Sequence, residues 1–74
     1  MLRAIGDSFK AEILPQEDGY WVMAIRRCGN NGIVYREGLF NSLREAAKRA
    51  EIKLVDRYGE EMGDLLWIWV TDDL

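Results

Sequence analysis

Leu65-Leu66-Trp67-Ile68-Trp69-Val70 holds six consecutive apolar side chains. Side chains alternate across a strand, so as a strand this run places Leu65, Trp67 and Trp69 on one face and Leu66, Ile68 and Val70 on the other. A chain of 74 residues has room for one substantial helix, which covers one face of a sheet. The second face then needs its own cover, either Met1, Leu2 and Ile5 or another molecule. Two tryptophans in such a patch bury on the order of 300 Å², worth several kcal/mol at roughly 25 cal/mol per Å². That suffices to drive association of a small domain.

Upstream, the covering helix is announced by Asn41 and Ser42, with Glu45 three residues after Ser42 as in a capping box. At roughly 100° per residue, Leu43, Ala46, Ala47, Ala50, Leu54 and Tyr58 form one apolar stripe. Arg44, Glu45, Lys48, Arg49, Lys53 and Asp56 lie away from it, with Glu45 and Arg49 placed for an i,i+4 attraction. Ile52 breaks the pattern, standing among charges, and is a candidate contact residue. Gly59 fits a helix C-cap, and Gly63-Asp64 turns the chain into the last strand.

Phe9, Ala11 and Ile13 alternate with Lys10 and Glu12, the period of a half-buried strand. Pro15 to Gly19 supply a turn. Residues 20–28 (YWVMAIRRC) and 33–37 (IVYRE) are strand-forming and flank Gly29-Asn30-Asn31-Gly32, a hairpin signal because Asn and Gly tolerate positive φ. The expected fold is a single α+β domain over residues 1–74 in the order β-β-β-α-β. It is an antiparallel meander with one helix on one sheet face and a C-terminal strand, whose direction of pairing the pattern leaves open.

Hydrophobic residues make up 49% and charged residues 31%, the composition of a compact domain and not of a disordered tail. No signal peptide or membrane span is expected, which makes the cytoplasm the default location. The net charge of -3 conceals a division. All ten Lys and Arg lie within residues 1–58, leaving that part at +2, while Glu60, Glu61, Asp64, Asp72 and Asp73 give the remainder -5. These acids either solubilise a sticky strand or meet a basic partner.

Catalysis is not expected. The chain has no histidine, Ser42 is committed as an N-cap, and Ser8 has no identifiable base. Glu60, Glu61 and Asp64 cluster in a loop without matching acids on strand centres, so no magnesium site is expected. No metal or other cofactor is expected. The lone Cys28 reads as a small, partly buried thiol without a disulfide partner.

Residues 9–25 (FKAEILPQEDGYWVMAI) and 38–54 (GLFNSLREAAKRAEIKL) together resemble the N-terminal domain of HicB-type antitoxins over residues 9–58. Glu17, Asp18, Gly19, Tyr20 and Val22 stand for that family's acidic turn and Gly-Tyr-x-Val strand, and Ser42, Glu45 and Ala46 for its capped helix. Arg26 to Asn31 replace the family's Pro-Asp-Leu-Pro-Gly-Cys stretch, and its C-terminal DNA-binding domain has no counterpart here. The resemblance implies a partial ribonuclease-H-like scaffold that binds a protein, commonly a toxin, often as an oligomer, without operator binding.

The expectation is therefore a noncatalytic protein-interaction module, a homo-oligomer that blocks a toxin or a host machine. Its contact surface is placed on Trp67, Trp69, Ile52, Asp72 and Asp73. Phage-encoded inhibitors of the anti-CRISPR kind fit the same description. A second reading is a small nucleic-acid-binding domain, with Arg26, Arg27, Arg36 and Tyr35 mixing cations and rings on a hairpin. The acidic pI of about 4.8 opposes it.

Overall fold

The computed structural model describes residues 1–30 and 32–71. Five strands, β1 (Leu2–Ile5), β2 (Phe9–Pro15), β3 (Trp21–Arg27), β4 (Ile33–Phe40) and β5 (Leu66–Trp69), form one sheet in the order β4-β3-β2-β1-β5. Every pairing is antiparallel. The single helix α1 (Leu43–Asp56) runs between the two edge strands and packs on one sheet face. The α+β class, the meander and the C-terminal strand are as expected. The addition is β1, which joins the sheet between β2 and β5 instead of lying over its free face. Of the two apolar residues Leu2 and Ile5, Ile5 registers on that face, while Leu2 is paired with the core residue Ile13.

Alternation sets the covered face. Ala4, Ala11, Ile13, Met23 and Ile25 are fully buried beneath Ala46, Ala50 and Leu54 of α1. The alanines of the stripe let the helix approach closely. Ser42 caps the helix, its Oγ accepting from the Glu45 N–H at 3.1 Å, while the Glu45 carboxylate accepts from the Asn41 N–H. Tyr58 closes the far end, its ring 4.7 Å from that of Phe9.

Two features fix the β5 side. The Met1 ammonium donates to the Val70 carbonyl, and the Val70 N–H to the Met1 carbonyl. The turn between β1 and β2 is held by Glu60, whose carboxylate accepts from the Asp7, Ser8 and Phe9 N–H groups at 2.6–2.9 Å. Burial pushes the Glu60 pKa up, but these three donors outweigh it and leave the group below its ordinary value. The Glu60 N–H donates to the Leu54 carbonyl, so one residue ties the helix end to the hairpin turn. Gly6 makes room for it: a Cβ there would lie 2.5 Å from the Glu60 carboxyl carbon.

Both sheet edges are poor templates for a further strand. β5 has four residues. In β4 the register skips Val34 and Leu39, which are bulged residues, and bulges twist an edge away from flat pairing. No helix among the described residues is long and apolar enough to cross a membrane. Cys28 is exposed, correcting the expectation of a partly buried thiol, because it follows β3 at the hairpin turn.

Candidate interaction surface

Among the described residues, the sheet face opposite α1 carries no second layer. Register places Arg3 and Ile5 of β1, Lys10, Glu12 and Leu14 of β2, Val22, Ala24 and Arg26 of β3, Ile33, Arg36 and Gly38 of β4, and Leu66 and Ile68 of β5 on it. At its centre Glu12 is only 7% exposed. One of its oxygens accepts from Arg3 Nη2 at 2.9 Å and the other from Arg26 Nε at 2.8 Å. Arg3 lies directly across from Glu12, and Arg26 diagonally. Such neighbours are within reach of long side chains. Burial pushes the Glu12 pKa up, and the two guanidiniums bring it below the ordinary carboxylate value. The two arginines converge on the Glu12 carboxylate, and Ala24, a small residue flanked by Glu12 and Arg36 on the neighbouring strands, is also buried.

Aliphatic side chains border this charged centre. Val22, nearly buried, pairs with Leu14 at one end. It also packs against Gly38, where a Cβ would come within 2.6 Å of Val22 Cγ1. Toward β5, Ile5 pairs with Leu66 and Arg3 with Ile68, and Leu66 is 60% exposed. The face of LLWIWV that needed its own cover is thus part of this open surface.

The residues singled out from the sequence fall in several places. Trp67 points to the helix side, half-buried against the core, its Nε1–H donating to Glu51 at 3.0 Å. Trp69 shares that face but is 65% exposed. Ile52 is on the other flank of α1, in a groove with Leu39, Phe40 and Arg49, while Trp67 lines a groove with Arg44, Ala47 and Glu51. The structure does not join the tryptophans and Ile52 into one patch. Asp72 and Asp73 lie outside the described residues.

The arginine patch is divided as well. Arg26 and Arg36 share the open face, with Ala24 paired to Arg36. Arg27 points to the covered side, its guanidinium 5.4 Å from the centre of the Phe9 ring. Tyr35 also faces the helix, donating its hydroxyl to Glu37 at 2.6 Å beneath Lys53. Glu37 accepts from Arg49 in turn. The Tyr35 hydrogen bond lowers the Glu37 pKa, and the same bond raises that of Tyr35. Arg49 therefore reaches across to β4, and its recorded ion pair is with Glu37 and not with Glu45.

Parity within IVYRE was enough to separate Tyr35 from Arg36. The roles of Glu12 and Glu60 were missed, because each depends on partners brought close only by the fold. No protein-family model matches the chain, and neither do any curated protein or solved structure.

Proposed function

We propose that the chain is a noncatalytic protein-interaction module that acts by occupying a partner's surface, in the manner of an antitoxin or a mobile-element inhibitor. The observation that carries this reading is the open sheet face, on which exposed Leu66 and half-buried Ile5, Leu14 and Ile68 adjoin an ion triad centred on the buried Glu12. Apolar side chains gathered on a face with no second layer mark an interaction surface. The blunted edges of β4 and β5 favour face docking over strand addition. The sequence resemblance to HicB-type domains points to the same class of activity. In this reading the protein works in the cytoplasm and self-associates through the helix side, where Trp69 is exposed.

The test uses the whole chain, tagged, in its own cells. Wild type retains a defined protein that binds again when both are purified, and Leu66→Asp with Ile68→Asp loses it while keeping the wild-type melting temperature. Equal retention by the double variant sinks the open-face reading.

Nucleic-acid binding is the second reading, supported by the presence of Arg3, Lys10, Arg26 and Arg36 on one face. It requires a salt-sensitive gel shift that Arg36→Ala weakens.

A further inference from the structure

Resting on the open face as the contact surface, we infer that its occupant is a protein surface presenting carboxylates among aliphatic side chains. The strand positions of this face hold Arg3, Lys10, Arg26 and Arg36 against the single carboxylate of Glu12. The chain as a whole carries -3, so its charge is segregated, with a cationic patch on an acidic molecule. Such a patch selects partners of opposite sign.

Three further observations narrow the occupant. A second copy docked face to face would set these cations against themselves, which excludes the isologous arrangement on this face. No aromatic side chain occupies a strand position of the face among the described residues, since Phe9, Trp21, Tyr35, Phe40, Trp67 and Trp69 all register on the helix side. The stacking platform that single-stranded nucleic acids use is therefore missing, and the acidic pI works against diffuse attraction to a duplex. Finally, the cationic centre is bordered by Leu14 and Val22 at one end and by Ile5, Leu66 and Ile68 toward β5. A phosphate backbone makes no use of such a border, whereas a protein surface buries it.

Donor supply agrees. Glu12 gives one oxygen to each of two guanidiniums, and Arg3 Nε is buried without an acceptor. A guanidinium offers five donors, so an incoming carboxylate joins a site rich in donors. It would share the Arg3 guanidinium with Glu12 and meet Arg36 at the β4 side.

The experiment titrates the isotope-labelled full chain with three short helical peptides that share one leucine pattern and carry Glu, Gln or Lys at their polar positions, and with a short DNA duplex. The expected result is that the Glu peptide shifts amides of β1, β2 and β3 and binds about tenfold tighter than the Gln peptide. Arg36→Glu with Lys10→Gln, folded by the dispersion of its spectrum, reverses the order toward the Lys peptide. If that variant does not fold, Arg36→Glu alone, at an exposed position, must remove the preference. Equal binding of the Gln or Lys peptide at the same amides overturns the carboxylate inference and leaves the face a protein contact. Tighter binding of the duplex there replaces it with nucleic acid. Shifts confined to other surfaces, or none with any peptide, overturn both the inference and the open-face reading.

Discussion

Ile13, Met23 and Ile25 on the covered face and Glu12 and Ala24 on the open face are all buried, but by different means. The first three lie under a helix, in contact with Ala46, Ala50 and Leu54. Glu12 is held by two arginines of the same sheet, and Ala24 is its cross-strand neighbour on β3. A helix layer cannot leave without unfolding the domain. The covered face thus fixes the fold, whereas the side chains of the open face are held by ion pairs and not by a packed layer.

The largest expected effect tests the covered side. Leu54 is fully buried in the helix contact, and Leu54→Ala should cost about 3 kcal/mol. Stability of a domain this small is of order 5 kcal/mol, so thermal denaturation should show a variant close to the edge of folding. A melting temperature within a few degrees of wild type would mean that the helix layer is not what holds the sheet.

Glu60 comes next, because it joins the helix end to the turn between β1 and β2, the strands nearest the open border. Glu60→Gln exchanges a carboxylate with three backbone donors for an amide, and should cost about 2 kcal/mol. Gly6→Ala pushes a methyl group into the same carboxylate, so the two changes should be less than additive in a double-mutant cycle. The pH dependence follows in sign. Glu60, Glu12 and Glu37 all have pKa values drawn below the usual 4.5. Each contributes stability that is fully present above the unfolded value and is lost as pH falls through the lower folded one. Wild-type melting temperature should therefore hold level above about pH 5 and drop below it, with a shallower drop in Glu60→Gln. An equally steep drop in that variant would assign the acid lability elsewhere.

The contrast between faces also explains what could be read from the residues alone. Strands β2 and β3 and helix α1 follow from local pattern, since alternation, the apolar stripe and the Ser42 cap act over a few residues. β1 has the right alternation in Leu2-Arg3-Ala4-Ile5, but four residues with a charge among them carry little weight until Glu12 supplies the partner for Arg3 nine positions later. Glu60 resembled the solvated acids around it, because its three donors lie more than fifty residues away in sequence. The bulges of β4 left no mark in composition. In LLWIWV alternation separated two faces, and register places Trp67 and Trp69 on the helix side and Leu66 and Ile68 on the open one.

The two tryptophans give the smallest and most discriminating comparison, since they share a strand and a face yet differ in exposure. Trp67 packs on the core and donates to Glu51, so Trp67→Ala should cost about 2 kcal/mol, less than a fully buried ring. Trp69 is 65% exposed, and Trp69→Ala should stay within about 0.5 kcal/mol of wild type. If Trp69 is the self-association contact, light scattering over a range of concentrations should show wild type as a dimer or larger species and Trp69→Ala as a monomer with an unchanged helix signal. A wild-type monomer at high concentration removes self-association from the proposal while leaving the open face to a different partner. A variant that stays oligomeric moves the contact elsewhere on the helix side, where the groove of Leu39, Phe40 and Ile52 is the next surface to mutate.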